Sequence, residues 1–359
     1  MQGLVDEAKG DDSTCFVFKR TRGRNPLRLA RYIINRTAYP WMVRKAAKAE
    51  GEVVIFHPQT IGLSLMREII DARPLTWMYV LDSSTFCVRS YNCLPAESAP
   101  CLRCVGNDRS ASKLNGCSDW FHSGLIQDYL PGWVRSGRLK LIAQCESHAK
   151  VLKSHFGEET PVVIVPLSVP DINPPKMDVV RPQRKRPLAV YHGASIHAKG
   201  IMHVISLAIL MPDWDFLVPA STREMKYHLG KMGALPPNLT LRQMNWPSGL
   251  FEQVQMADIV LCPSSWSAPV EGAVLKSLAH NGLVGLYVHE TAFAAELPAD
   301  ARVAIDPLDL EGTAAHLRRL ISNPEEAKAI RVAARRFISH YSAQSQLMLK
   351  SIRSICGLT

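Results

Sequence analysis

The chain has 359 residues, of which 47% are apolar and 21% charged. That is enough apolar material for a real core and too many residues for one, so a disordered polypeptide is excluded and two α/β-sized domains are expected. The 42 Lys and Arg outnumber the 32 Asp and Glu, giving a net charge of +10, but the excess is local. Between Lys19 and Lys48 there are ten basic residues and no acidic one, so the rest of the chain is balanced, which argues against a generally basic nucleic-acid binder.

In chain order, a polar start precedes a short strand expected at Thr14–Phe18. Asn25 and Pro26 are good N-cap and first-turn residues for a helix over Leu27–Ala38, and Tyr39-Pro40 breaks it before a second helix from Trp41. Leu27, Ala30, Ile33 and Ile34 share one side of the first helix and Arg28, Arg31 and Asn35 the other. Such a basic amphipathic face suits an anionic membrane surface, an anionic substrate or plain solvent. Glu52–Phe56 and Trp77–Leu81 read as buried strands around a helix at Leu63–Ala72. Leu139–Gln144, Glu146–Phe156 and Val162–Val165 read as strand, helix and strand. Residues 170–187 are rich in proline and carry Arg184-Lys185-Arg186, the composition of a linker. Beyond it, Leu188–Tyr191, Asp215–Val218, Leu239–Met244, Ile259–Cys262, Val284–Val288 and Ala301–Ile305 are six strands alternating with helices such as Lys199–Met211 and Leu275–His280. This pattern predicts a second doubly wound parallel sheet. The expected division is 1–169 as the first domain, with a basic segment at 19–48 and a cysteine-rich insertion at 87–117. The linker 170–187, a second domain at 188–340 and a C-terminal helix at 341–359 follow.

Five of nine cysteines, Cys87, Cys93, Cys101, Cys104 and Cys117, fall in that insertion with one C-x2-C pair. Four thiolates make a closed tetrahedral zinc site, and such a site would hold a polar, loop-rich insertion together. An iron–sulfur cluster and uncoordinated thiols are the other readings of the same spacing. No apolar run reaches the length of a membrane span and no leader pattern opens the chain, so a cytoplasmic protein is expected.

Six segments in order resemble the donor half of family-4 retaining glycosyltransferases, which have the two-domain GT-B architecture. They are Leu141–Ser154, Val163–Pro170, His192–Gly200 (HGASIHAKG), Leu250–Pro263, Ser264–Gly282 (SSWSAPVEGAVLKSLAHNG) and Asp306–Tyr341. The resemblance implies two Rossmann-type parallel-sheet domains facing a cleft and a nucleotide-sugar donor. It also implies a glycan or lipid-linked acceptor, as in cell-surface polysaccharide synthesis, and no catalytic divalent metal. It assigns donor binding to Gly193, Ser195, Lys199, Gly200, Glu271, Gly272 and Lys276. Lys199 would neutralise the departing diphosphate, Glu271 would serve a sugar hydroxyl, and Asp82 would line the acceptor side. On the same resemblance, Cys87, Cys101, Cys104 and Cys117 are the zinc ligands, with Cys93 as the alternative. His192 and His197 flank the glycine loop within reach of a phosphate or a sugar hydroxyl.

Three positions depart from the family pattern. Ala194 stands where an arginine is usual, and Ala268 and Lys276 stand where the two glutamates are expected. These departures support a second reading, a non-catalytic GT-B relative acting as a binding or scaffold protein.

Overall fold

The computed structural model describes residues 38–355 except 39, 49, 57, 59–61, 95, 108–109, 118–122, 176–180, 183 and 233. The strand expected at Thr14–Phe18 and the basic helix Leu27–Ala38, apart from its last residue, therefore lie outside the described residues. The first elements after a helical stretch at 40–47 are β1 (Val54–Phe56), α1 (Leu63–Ala72), β2 (Thr76–Tyr79), α2 (Ser123–Arg135), β3 (Leu139–Ala143), α3 (Glu146–Phe156) and β4 (Val162–Ile164). The second series begins with β5 (Leu188–Tyr191), α4 (Ile201–Leu210), β6 (Asp215–Val218), α5 (Thr222–Met232), β7 (Leu239–Leu241), α6 (Leu250–Met256) and β8 (Ile259–Leu261). It ends with α7 (Gly272–His280), β9 (Val284–Tyr287), β10 (Val303–Ile305), α8 (Leu310–Ile321) and α9 (Pro324–Ser345), followed by α10 (Met348–Ile355).

The chain forms two compact units. The first comprises residues up to Tyr91, Leu102–Ser168 and Ser345–Thr359, and the second Asn92–Cys101 and Val169–Gln344. In the first unit four parallel strands lie in chain order, β1-β2-β3-β4. Successive right-handed crossovers in one direction place the connecting helices on a single face. Met78, Val80, Leu141 and Ala143 point to that face and bury Met66, Ile70, Leu130 and Leu152. The alternating residues Trp77, Tyr79 and Ile142 point to the other, where α10 supplies Met348 and Ile352. The helix α10 thus covers the face that the crossovers leave open.

The second unit has the strand order β10-β9-β8-β5-β6-β7, all parallel. From β5 the chain winds outward through β6 and β7, then returns to β8 on the opposite side of β5. The order therefore reverses between β5 and β8, and the carboxyl ends of those strands diverge there into a crevice where ligands bind in open α/β sheets. Trp214, Tyr191 and Phe216 are fully buried in the core between this sheet and α4 and α8. No helix among the described residues is long and apolar enough to cross a membrane.

Two buried histidines on α3 make the first unit sensitive to acid. Gln144 N–H donates to His148 Nδ1 at 3.3 Å and Gly106 N–H to His155 Nδ1 at 3.1 Å, so both rings serve as neutral acceptors. Burial pushes His148 down to about 3 and His155 to about 4. The unfolded chain takes up protons near pH 6.5 while the folded chain does not, so stability is full above that pH and falls as pH drops toward 4. Each ring should cost about 2 kcal/mol between pH 6.5 and 5. Urea unfolding across that range should show the loss, and His155→Asn, which keeps an acceptor but cannot titrate, should shrink it.

Candidate ligand site at the switch point of the second sheet

The crevice is bounded by the loop after β5, residues 192–200, and the loop after β8, residues 262–271. Both are tightly held. The Tyr191 hydroxyl shares its hydrogen between Ala194 O at 2.6 Å and Lys199 O at 3.1 Å, stapling the first loop from beneath. A Cβ on Gly193 would sit 2.7 Å from that hydroxyl. Gly200 adopts the left-handed conformation, φ 74°, ψ 22°, as the cap of α4, and a Cβ there would lie 1.9 Å from Pro263 O. Ser265 N–H donates to Ala198 O at 2.9 Å, so the two loops are joined backbone to backbone.

Lys199 and Glu271, which lie 72 positions apart in the sequence, form an ion pair with both side chains largely buried. The Lys199 ammonium also lies 4.7 Å from the centre of the Trp266 ring. Burial pushes its pKa down to about 7. Glu271 is the N-cap of α7 in extended conformation and Gly272 its first residue, packed 3.5 Å from Val169 by the position of a notional Cβ. Gly193, Lys199, Gly200, Glu271 and Gly272 are thus gathered at one place. Ser195 is near, its carbonyl accepting from His228 Nε2 at 3.1 Å.

Lys276 lies about one turn along α7. Its ammonium is 4.7 Å from the Trp246 ring centre and 3.4 Å from Asp171 Oδ2. His192 stacks on the same Trp246 ring, centroids 5.3 Å apart and planes within 7°. Ser277 Oγ donates to Ala273 O at 2.7 Å and so accepts from His192 Nδ1 at 2.8 Å, leaving Nε2 as an acceptor. Burial, aided by the Lys276 charge, lowers His192 to about 4. His197 bonds Glu97 O at 3.2 Å through Nε2. Asp82 belongs to the first unit, where its carboxylate accepts from Ser84 N–H at 2.9 Å and caps a short 3-10 turn.

The cysteine-rich insertion corrects the zinc expectation. Among the described residues, which include all five cysteines, no three His, Cys, Asp or Glu side chains gather in an arrangement that can hold a metal. The expected ligands Cys87, Cys101, Cys104 and Cys117, and the alternative Cys93, belong to no such group. Packing and hydrogen bonds hold the insertion instead. Cys87 is buried with Phe86 and Val151, and Cys93 with Ala198, Trp266 and Ala268. Cys101 N–H donates to Asn92 O at 2.7 Å and Cys93 bridges Pro100, closing 92–101 into a loop. Asn92 is fully buried and exchanges two hydrogen bonds with Ser267, each 2.9 Å. Trp246, Asn92, Ser267 and Ser277 are site residues that the sequence reading does not single out. A tryptophan in the turn N-W-P-S is the one visible signal, since an aromatic beside a proline turn seldom lies there without a packing partner.

Two parallel-sheet units, the second with two joined loops at a switch point, have the GT-B type of α/β architecture. No protein-family model and no curated protein sequence matches the chain. Among solved structures it is similar to sucrose-phosphate synthase from Thermosynechococcus elongatus (TM-score 0.62, 12% identity, covering 93% of this chain and 79% of that one). It is similar to WaaG, a glycosyltransferase involved in lipopolysaccharide biosynthesis (0.60, 14%, 94% and 86%). A glycosyltransferase from Rickettsia africae is a third (0.59, 13%, 98% and 86%). At these identities the likeness establishes the fold.

Removing one member of the buried pair should leave the other charge without its partner. Lys199→Ala is expected to lower stability by about 3 kcal/mol, and Lys199→Ala with Glu271→Ala by clearly less, a coupling that a double-mutant cycle in urea will read.

Proposed function

We propose that the chain is a glycosyltransferase that moves a sugar from a nucleotide donor to a glycan or lipid-linked acceptor. The observation that carries this reading is the convergence of Gly193, Lys199, Gly200 and the Glu271 cap of α7 at the switch point of a GT-B sheet. Free N–H groups at the start of α7 and the Lys199 cation suit a diphosphate, and a fixed cation beside the leaving group favours the transition state, in which charge develops on that oxygen. In this mechanism the diphosphate competes with Glu271 for Lys199, and the released carboxylate accepts a hydrogen bond from a hydroxyl of the transferred sugar. Asp82 is assigned to the acceptor side. Retention of anomeric configuration follows from the family resemblance, and the reading calls for no catalytic divalent metal.

A thermal-shift panel of UDP, GDP, ADP and their hexose conjugates tests this. A ligand at a hundred times its dissociation constant adds about 2.7 kcal/mol of stability. At least one nucleotide should stabilise the protein, and Lys199→Ala with Glu271→Ala should lose transfer by orders of magnitude while staying folded. The departures at Ala194, Ala268 and Lys276 favour the scaffold reading, which wins if every nucleotide leaves the melting curve unmoved.

The basic segment 19–48 is assigned to a peripheral membrane contact on the cytoplasmic side, where lipid-linked acceptors of polysaccharide synthesis reside. Sedimentation with vesicles containing anionic lipid should weaken steeply with salt and disappear when residues 19–48 are deleted.

A further inference from the structure

The loops after β8 and β9 are joined by a chain of polar side chains whose direction can be worked out atom by atom. Asn92 fixes one end. Ser267 N–H donates to its Oδ1, and its amide hydrogens go to Cys101 O at 3.2 Å and Ser267 Oγ at 2.9 Å, so the amide cannot be flipped without setting donor against donor. Ser267 Oγ therefore accepts from Asn92, and its own hydrogen has Thr291 Oγ1, 2.6 Å away, as acceptor. Thr291 then donates to His289 Nδ1 at 2.8 Å. The Thr291 backbone N–H, 3.3 Å from the same nitrogen, independently requires Nδ1 to carry no hydrogen. The remaining ring hydrogen of His289 sits on Nε2, which bonds no described residue. Burial keeps the ring neutral by lowering its pKa, against a smaller opposing pull from Glu290.

This chain ends at the carboxyl end of β9, on the side of the sheet where the loop after β8 carries Trp266 and Glu271. His289 follows β9, which pairs with β8, and Ser267 belongs to the loop that carries Trp266 and Glu271. Phe293 N–H ties the two loops again at Ala268 O, 2.9 Å. A small cavity lined by Ser264, Ala268, Glu271, Tyr287 and Ala292 lies between them.

We propose that His289 offers a fixed Nε2–H to an oxygen of the donor's diphosphate–sugar portion, and that Asn92, from the cysteine-rich insertion, is the positioning residue that sets this polarity. The assignment of the ligand rests on the nucleotide-sugar reading above; the tautomer does not.

Two measurements on the full chain test it. Long-range nitrogen–proton correlation spectra at pH 7.5 should show His289 with its hydrogen on Nε2. In Thr291→Val, which removes the hydroxyl at nearly constant shape, and in Asn92→Asp, which reverses the first donor, the Nδ1–H form should rise. A wild-type spectrum with the hydrogen on Nδ1, or variants with unchanged tautomers, overturns the proposal. Calorimetric titration with UDP, GDP, ADP and a hexose conjugate of each reads the contact itself. His289→Ala should weaken binding by about tenfold, the worth of one hydrogen bond, and His289→Gln, which can place an amide donor near Nε2, should recover most of it. Equal loss for nucleotide and conjugate assigns the bond to phosphate, and loss for the conjugate alone assigns it to sugar. Wild-type protein that binds none of them removes the glycosyltransferase reading together with the ligand given to His289. Wild-type binding that His289→Ala leaves unchanged overturns the inference alone.

Discussion

Gly200 lies so close to the carbonyl of Pro263 that no side chain fits between them, and the arrangement of the second unit follows from that contact. The loop after β5 must turn through a left-handed residue at this point in order to start α4. The loop after β8 must pass within backbone distance of it, and the Ser265–Ala198 hydrogen bond records the same approach. Two strand ends that diverge at a switch point are thereby drawn together above the crevice they create. Lys199, one residue before the glycine, extends over Trp266 and toward Glu271. A buried cation is tolerated there because a carboxylate and an aromatic face replace the water it loses.

The same contact accounts for the place of the cysteine-rich insertion. Residues 92–101 belong to the second unit although the sequence on either side of them builds the first. They pack Cys93 against Ala198, Trp266 and Ala268, which are residues of the two joined loops. A metal is the usual remedy for a segment too polar to bury a core. This one has another, since a fully buried asparagine with satisfied hydrogen bonds and a small sulfur-bearing side chain in an apolar niche do the same work.

Most of the framework could be read from the chain because strand and helix periods are local properties. Leu63–Ala72, Glu146–Phe156, Leu188–Tyr191 and Asp215–Val218 have the ends that patterning assigns. Leu239–Met244 overshoots, since β7 ends at Leu241 and Arg242 N–H makes the last bond to β6, at Val218 O. Pairing partners decide a strand's edge, and a single segment does not contain them. The site divides the same way. The glycine loop with its trailing Lys199, and Glu271 opening α7, are legible from spacing within one loop. That Asn92 would meet Ser267, 175 positions on, or that Lys276 would lie over Trp246 beside Asp171, depends on which loops the topology brings together. The cysteine spacing suggests zinc, but which side chains meet is not local: Cys87 packs with Phe86 and Val151, Cys93 with Ala198, Trp266 and Ala268, and no three ligands gather among the described residues.

The positive charge of the sequence is concentrated at 19–48, and the crevice, by contrast, holds its cations in balance. Lys199 is matched by Glu271 and Lys276 by Asp171, so each lysine near α7 already has a carboxylate. An anionic ligand must therefore displace a partner before it gains either charge. For Lys199 the partner is as buried as the cation, so the exchange leaves a carboxylate that needs a new donor. A simple phosphate offers at most its own P–OH, whereas a phosphate joined to a sugar brings several hydroxyls to the same site. On the proposed reading the pairing would discriminate between halves of one ligand, the anion taking the lysine and a hydroxyl satisfying the acid that the lysine leaves. Under the nucleotide-sugar proposal, Glu271 then has a role at that position, since it takes a hydroxyl of the ligand whose phosphate takes its lysine.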